Sequence, residues 1–486
     1  MRLCLLTFIL LLAINVYPQS GFIYRYVTPE DEYPNNITET LDGGFIITAS
    51  IGTYPLTYKT LLIRLNQNGD TINTRLITLP QGTCYINDIV KLDNGLLMGI
   101  GEKKTESDPS RIWFITFTDS LKIIHDTTFL TAFQSCNHMI YGFIDHFHNM
   151  VVYGSADPYN APPNRIPFVF TLSQNCDSLL FHTYISSNSP IVFSMMEKPD
   201  TSGYYMSIFG CMNPPAHSPS QFLLMNYSLD IISMDSIPQK LALYCKSKKL
   251  SNHEFFETGS RYYENSNPQT EKIGIIKLDT AFQVKADFFL GPDDTTTYPA
   301  YNTNLDFLNP DNLYLGGVAN QDWSSIFSYN HSYIILGKFD SSLNLKWQKY
   351  YGGDMYYMVW SILATTDGGC IIGASTNDYT IQGEQRDIYI LKVDSNGIIT
   401  GINSDPPSKK QGTRIYPNPG TELINIETTL NSSIVYFYDL TGREICAQSL
   451  VSGNNPVNVQ KLKSGLYIYK ILQNSEVREC GKWIKE

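Results

Sequence analysis

The chain has 486 residues, 43% hydrophobic and 17% charged, with 33 Tyr, 24 Phe, 33 Gly and 25 Pro. This is longer than one hydrophobic core ordinarily supports and too apolar for a disordered chain. Two folded units, or one repeat array with an appendage, are expected. The formal net charge of −11, with no long basic run, excludes nucleic acid as an expected partner, because the average surface repels a polyanion.

Residues 1–20, MRLCLLTFILLLAINVYPQS, carry an early Arg2 and an unbroken apolar run from Leu3 to Leu12, followed by small and polar residues. The run is short for a bilayer span and reads as a secretory signal peptide, cleaved near Gln19 or Ser20. Cys4 opens the apolar region rather than closing it, which does not suit a lipoprotein acceptor. No later stretch is apolar and long enough for a membrane helix, so no transmembrane span is expected in the mature chain.

From residue 21 to 402 the chain repeats itself. The clearest copy is WSILATTDGGCIIGAS (360–375), a loop, then RDIYILKVDSNG (386–397). Earlier copies include NITETLDGGFIITAS (36–50) with KTLLIRLNQNGD (59–70), and INDIVKLDNGLLMGIG (86–101) with RIWFITFTDSL (111–121). Turns of successive copies begin near Gly43, Asn94, Asn149, Ser202, Asn252, Asp311 and Gly368, which gives seven units of about 50–60 residues. In each unit an apolar strand meets an Asp-Gly-Gly or Asn-Gly turn, where glycine supplies the positive φ of a tight hairpin. A second strand then ends in small residues such as TAS or GAS. After a variable loop come an alternating strand, another turn and a fourth strand such as LNLKWQKYY (343–351). One such sheet cannot bury both faces, whereas sheets packed side by side cover one another, which is the logic of a propeller. The segment GFIYRYVT (21–28) matches the fourth-strand pattern that the last unit lacks. The expected fold class is therefore all-β: a seven-bladed β-propeller over 21–402, closed by its N-terminal strand, with a small β-sandwich at the C-terminus.

Nine cysteines include Cys4, which leaves Cys84, Cys136, Cys176, Cys211, Cys245, Cys370, Cys446 and Cys480. Their even number permits disulfides in an exported chain, and no pair has Cys-x-x-Cys spacing. Small buried hydrophobes are the expected role, with one or two bridges allowed.

Few constellations suggest chemistry. Asp145-His146-Phe147-His148 sets two imidazoles at chelating spacing, but at the hairpin position where other copies carry turn residues, so an exposed turn is expected. DSNG (394–397) and NQNGD (66–70) resemble pieces of calcium loops without the acidic twelfth ligand and read as turns. Asp293-Asp294 is an acidic pair in a loop, too little for a metal site. Asp119-Ser120-Leu121, Asp177-Ser178-Leu179, Asp235-Ser236-Ile237 and Asp279-Thr280-Ala281 have the form of bacterial O-glycosylation acceptors, and turn residues at a shared blade position account for them equally well. No nucleophile elbow, zinc-helix motif or phosphate loop is present, and no metal or cofactor is expected.

Residues 403–413 form a Pro-, Ser- and Lys-rich linker. Beyond it, 414–486 shows short alternating runs between Pro and Gly turns, as in a small sandwich of immunoglobulin type. The run Tyr416-Pro417-Asn418-Pro419, then ELINIE, then VYFYDLTGREI with Asp439 and Gly442, then LKSGLYIYKI with Gly465 and Tyr467, and a basic final strand with Lys482 and Lys485, resembles the type A C-terminal sorting domain of the type IX secretion system. The resemblance implies handling by the type IX secretion machinery and transport to the outer-membrane surface or the medium. It also implies removal of the domain by a sortase-like peptidase within or near 403–415, and attachment of the passenger to surface lipopolysaccharide. Cys446 and Cys480 lie outside the family pattern and are expected to pair across neighbouring strands.

The function expected from this architecture is an exported binding module that presents loops 51–59, 102–110, 157–166, 211–220, 260–271, 319–331 and 376–386 to a carbohydrate or protein ligand. Two alternatives stay open: a secreted carbohydrate-active or other hydrolase or lyase with its site at the channel mouth, its residues unknown, and a structural or adhesive surface component.

Overall fold

In the computed structural model, the body's alternating apolar runs form antiparallel sheets, each closed by short turns. The structure describes residues 21–52, 58–105, 110–130, 133–135, 140–158, 165–184, 190–210, 220–237, 241, 245–263, 270–321, 331–378, 385–399, 414–417, 420–439, 443–473 and 476–485. Residues 1–20, expected to be a signal peptide, and 403–413, expected to be a linker, lie outside the described residues, as do Asn418, Pro419, Gly442, most of the seven loops, Cys136 and Cys211. The chain divides into two units, Met1–Gly401 and Ile402–Glu486.

Among the described residues the first unit holds seven antiparallel sheets, each with four strand positions counted outward from an inner strand. Sheet 1 is Glu32–Glu39, Phe45–Ile51, Lys59–Leu65 and Thr71–Ile77. The inner strands of sheets 2 to 5 are Gly82–Lys91, Ile140–Ile144 (beside Phe133–Ser135), Pro190–Glu197 and Lys246–Lys249. Sheet 6 has a broken inner strand, Thr297–Pro299 and Leu305–Asp306, and sheet 7 begins with Tyr356–Ala364. The fourth strand of sheet 7 comes from the other end of the body: Phe22–Tyr26 pairs antiparallel with Asp387–Val393, from Phe22 opposite Lys392 to Tyr26 opposite Ile388.

Each junction between consecutive sheets has its own buried cluster, and the seventh, where Ile37, Phe45 and Ile63 of sheet 1 meet Ile371, Ile388 and Ile390 of sheet 7, returns the array to its start. This is the cyclic, propeller-like arrangement in which every sheet hides both faces. Outer strands are correspondingly exposed, as in Thr71–Ile77 and Ile231–Ile237.

Two regularities position the centre. Inner strands carry one-residue bulges at Asn35, Asn87, Phe193 and Trp360, each marked by a register shift against the second strand. Opposite such irregularities the second strand must be small: a Cβ on Gly101 would fall 1.8 Å from the Tyr85 carbonyl beside the Asn87 bulge, and one on Gly317 1.9 Å from that of Tyr298 beside the broken inner strand of sheet 6. The small residues at the ends of the second strands are thus explained by close approach to a bulged or broken inner strand.

The turns that follow the third strands all close with a hydrogen bond from the fourth turn residue to the first, at Gly69, Leu121, Cys176, Leu229, Phe282, Leu343 and Gly397. Glycine supplies positive φ in the turns between first and second strands at Gly43, Gly95 and Gly368, and at only two of these later positions. At the other five a non-glycine residue takes positive φ, from 57° at Phe282 to 68° at Leu229. Leu121, Leu229, Phe282 and Leu343 are buried and join the clusters between sheets, so apolar burial offsets the left-handed backbone. Glycine appears where an aromatic ring already fills that space: a Cβ on Gly69 would lie 2.4 Å from the Phe22 ring, and one on Gly397 2.9 Å from Trp347.

The second unit is a sandwich of a three-stranded sheet (Arg414–Tyr416, Leu423–Thr428, Gly453–Asn458) and a four-stranded one, in the order Glu444–Leu450, Ser433–Tyr438, Gly465–Gln473, Glu476–Lys485. Strict alternation buries Ile424, Ile426, Val435, Phe437 and Val457 between the sheets. The expected Cys446–Cys480 bridge is not formed. Cys446 and Cys480 lie on the two outer strands of the four-stranded sheet, with two strands between them, and Cys446 is a free thiol. Three interstrand spacings of about 4.8 Å exceed what a disulfide bridges. Cys84, Cys176, Cys245 and Cys370 are free thiols as well.

Candidate functional site

On the ring axis the bulged inner strands turn polar side chains towards one another. The Asn35 amide donates to Ser50 Oγ (2.8 Å) and to the Ile86 carbonyl of the next sheet (2.7 Å), and Asn87 does the same to Ile140 (3.2 Å). Two bonds reach between sheets that are not neighbours. Tyr141 Oη of sheet 3 donates to Asn302 Oδ1 of sheet 6 (3.1 Å), and Asn302 Nδ2 donates to the Asn35 carbonyl of sheet 1 (2.8 Å). The axis is therefore crossed by hydrogen bonds at the level of the bulges. Asp88 accepts from Asn36 Nδ2 and from the backbone N–H groups of Ile89 and Gly142. Burial nevertheless pushes its carboxyl above the usual carboxylate range.

Lys246 stands beside this lock, its Nζ 3.4 Å from the Tyr141 ring centroid and donating to the Phe193 carbonyl at 3.1 Å. Burial lowers its pKa to about 8 against the pull of Asp88, Cys245 and Glu257. Glu257, fully buried on the second strand of sheet 5, is raised to about 7 by burial, opposed by hydrogen bonds from Ser247 and Ser207 and by the charge of Lys246. Its Oε1 has no hydrogen-bond partner among the described residues.

Beside the lock, rooted at the same level as its bulges (Asn302 N donates to the Trp360 carbonyl at 2.7 Å), an aromatic group extends towards the face where the second strands end. Tyr33 contacts Tyr58 (6.1 Å between centroids) and Trp360 (5.4 Å), and Trp360 lies 5.1 Å from Tyr301 at an interplanar angle of 31°. Trp360 and Tyr301 are half-buried, Trp360 Nε1 donates to Ser375 Oγ, and the Arg386 guanidinium covers the Tyr33 ring at 5.2 Å. Glu32 is fully buried at the start of the first inner strand, and burial raises its carboxyl to about 8. The opposite face carries tight turns. Sequence reading missed the axial groups because nothing local marks Asn302, Tyr141 and Lys246 as partners; the recurring bulge asparagines were the available signal.

The histidine motif sits in a turn, and its imidazoles face different neighbours: His146 Nδ1 meets Glu197 of sheet 4, while His148 Nδ1 meets Asp93 of sheet 2 at 2.6 Å. Each carboxylate pulls one ring away from the other, which removes the shared face that the spacing suggested. Asp394 and Asn66 bond their own turn amides at 2.7–2.9 Å. Thr295 Oγ1 donates to Asp294 at 3.1 Å. The Asp-Ser/Thr tripeptides do not share one blade position: Asp119 and Asp279 lie in turns between third and fourth strands, whereas Asp235-Ser236-Ile237 ends the outer strand of sheet 4, with Ile237 buried. Among the described residues no group of three or more His, Cys, Asp or Glu side chains is placed to hold a metal ion.

In the second unit the described sorting-motif residues are framework groups. Asp439 accepts from Arg443 N and Nε, both at 3.1 Å, and so closes a turn. Gly465 opens a strand at φ +153°, a value that disfavours a side chain. Tyr467 is buried, with its hydroxyl on the Lys463 carbonyl at 2.8 Å, and Lys482 pairs with Ile468 in the final ladder. The separated pieces converge on a residue the motif reading passed over. Trp483 is fully buried, donates Nε1 to the Pro417 carbonyl at 3.0 Å, and lies 5.9 Å from the Tyr467 ring and 6.0 Å from Phe437. Trp483→Ala is expected to destabilise this sandwich by about 3–5 kcal/mol. The check is urea unfolding of the full chain followed by amide exchange in strands 423–428 and 465–473, which should lose protection before the ring does.

The chain is thus of the class of all-β, propeller-like proteins with a C-terminal sandwich. Residues 414–486 match the family described as the secretion system C-terminal sorting domain, and carrying it indicates export to the cell surface or the extracellular space. No curated protein matches the chain. Among solved structures it is similar to a fungal alcohol oxidase of the AA5 family in complex with copper (9% identity, 96% of this chain and 99% of that one, TM-score 0.42). It is also similar to a Dyadobacter fermentans protein of unknown function (7%, 77% and 100%, 0.45) and to the β-propeller domain of the trilobed protease from Pyrococcus furiosus (9%, 78% and 100%, 0.42). Likeness at this level says nothing about ligand or chemistry. Among the described residues no helix is long and apolar enough to cross a membrane.

Proposed function

We propose that the chain is an exported binding protein that takes a carbohydrate on the loop-bearing face of its ring. The observation that supports this reading most is the aromatic group formed by Tyr58, Tyr33, Trp360 and Tyr301 beside the axial lock. Half-buried indole and phenol rings offer flat apolar faces next to hydrogen-bonding edges, which suits the alternating C–H and O–H surfaces of a sugar. The opposite face of tight turns carries an aromatic group of its own, Phe147 against His146 (3.7 Å) and Tyr227 (4.9 Å), but it lies off the axis, and its His146 and Tyr227 polar atoms are taken up by Glu197. In this reading residues 1–20 act as a leader, 21–402 are the passenger and 414–486 the sorting tail. The segment 403–413 is where a sortase-like peptidase separates tail from passenger, which is then attached to surface lipopolysaccharide. Asn418, Pro419, Gly442 and Lys482 would serve recognition by the secretion machinery together with the described motif residues.

The test is a glycan array probed with the full chain and with Trp360→Ala. Losing the ring should weaken capture of the recognised glycan about tenfold or more while the thermal unfolding midpoint stays within a few degrees. Capture unchanged by the substitution, or a panel that binds nothing while a protein partner is recovered at the same face, would overturn the carbohydrate reading. Release of products from the glycan in the same assay would favour the hydrolytic alternative.

A further inference from the structure

A second site lies on the same face, away from the axis. Pro292 and Thr295 of the connection into sheet 6, Ala319 and Asn320 at the end of its second strand, and Tyr333 and Tyr350 line an open, shallow cavity of about 400 Å³. This falls within the size range of small-molecule sites.

Its walls are built and held. Tyr333 and Tyr350 meet edge to face, with centroids 6.2 Å apart at 84°. Tyr333 is braced on its other side by His331 at 5.7 Å and by Gly353, where a Cβ would come within 2.1 Å of its ring. The Tyr350 hydroxyl accepts from Gln348 Nε2 at 2.7 Å, which fixes that ring although the residue is 40% exposed. Asn320 has φ +63°, a conformation held by its N–H on the Thr296 carbonyl (2.9 Å) and its Nδ2 on the His331 carbonyl (2.8 Å). A left-handed asparagine pinned at a cavity wall is backbone strain of the kind found at binding sites. Among the described residues no hydrogen bond engages the Tyr333 hydroxyl, which leaves it for a ligand.

The charge around the cavity selects among ligands. Asp293 and Asp294 belong to the same connection as Thr295, and both bear on Lys272, whose ammonium is tied to the Thr295 carbonyl at 2.6 Å. Carboxylates beside the cavity, on a chain of net charge −11, disfavour an anionic ligand. Two aromatic walls with phenol hydroxyls at their edges fit an uncharged polyhydroxylated ring.

We infer that the cavity lined by Tyr333, Tyr350, Asn320 and Thr295 binds a neutral pyranose, as a sugar subsite separate from the aromatic group at the axis. The inference deepens the carbohydrate reading and rests on the loop-bearing face being the ligand face.

The experiment is saturation-transfer NMR of the full chain with methyl glycosides of neutral hexoses, N-acetylglucosamine, glucuronic acid and sialic acid. Tyr350→Ala, Tyr350→Phe and Trp360→Ala are run beside the unaltered chain. A neutral glycoside should saturate with a Kd on the order of 1 mM, since one small rigid ring buries little surface, and the acidic sugars should give no transfer. Tyr350→Ala should remove the signal, whereas Tyr350→Phe, which keeps the stacking face, should hold affinity within about threefold, and Trp360→Ala should leave it unchanged. Binding lost in Trp360→Ala but retained in Tyr350→Ala would overturn the subsite and leave the axial reading standing. Preference for the acidic sugars, or no neutral glycoside bound, would overturn the subsite directly.

Discussion

Phe22→Ala should destabilise the ring by about 3–5 kcal/mol, as large an effect as any single truncation in the body. Phe22 is 5% exposed and belongs to the cluster joining the last sheet to the first. Its ring lies against Phe45 at 5.9 Å and occupies the space that a side chain at Gly69 would need. Removing it leaves a cavity beside a glycine turn that has nothing to fill it. It also weakens the strand Phe22–Tyr26, whose ladder covers the open edge of Asp387–Val393. Urea unfolding should show the midpoint falling with the slope unchanged, and amide exchange should show 387–393 losing protection before other third strands. Uniform loss of protection across all seven third strands would mean that closure does not act through this strand.

Glu257→Gln should stabilise the ring at pH 8, by up to about 3 kcal/mol, and change little at pH 5. Glu257 titrates near 7 in the folded chain, against an ordinary 4.5, because burial disfavours its charge more than Ser247, Ser207 and Lys246 favour it. Between those two values the folded chain binds more protons than the unfolded one, so this group's contribution to stability falls as pH rises from about 4.5 to 7. Glu32, raised to about 8, acts in the same direction. Lys246, lowered to about 8, acts the other way above that pH: there the unfolded chain binds more protons, and stability recovers as pH climbs towards 10.5. Above about pH 9 the thiols of Cys176, Cys245 and Cys370, pushed up by burial, keep their protons longer in the folded chain and oppose that recovery. An amide at position 257 cannot ionise, and the two serine hydroxyls can both donate to it and accept from it. Urea midpoints at pH 5 and pH 8 give the check. A variant equally destabilised at both values would show that Glu257 is charged in the fold and paired there.

The repeat was legible because its causes are local. Every turn after a third strand opens with a residue whose side chain can bond its own backbone (Asn66, Thr118, Ser173, Asn226, Asp279, Asp340, Asp394) and closes on a hydrogen bond three residues later. Such signals lie in contiguous sequence and recur with the period. The rule that glycine supplies positive φ between first and second strands holds at Gly43, Gly95 and Gly368, while His148 and Thr201 take that conformation in the corresponding turns of sheets 3 and 4; after the third strands, buried Leu121 and Leu229 stabilise a backbone that local propensity disfavours. The cysteine pairing failed for a related reason: Cys446 and Cys480 look like neighbours in a hairpin-rich sandwich, but the strand order sets them on opposite edges.

The sequence by itself determined the period, the turn chemistry, the closing strand and the sorting tail, because each depends on residues a few positions apart or on a motif read in order. Only the tertiary structure decided what stands on the axis and inside the tail. Tyr141 and Asn302 are 161 positions apart, and Asn302 and Asn35 are 267 apart; they meet because the ring returns to its start. Trp483 likewise becomes the centre of the sorting sandwich only once Pro417 and Tyr467 are folded against it. Contacts of that span leave no periodic trace, since the residue type at each end is set by a partner the local chain never approaches.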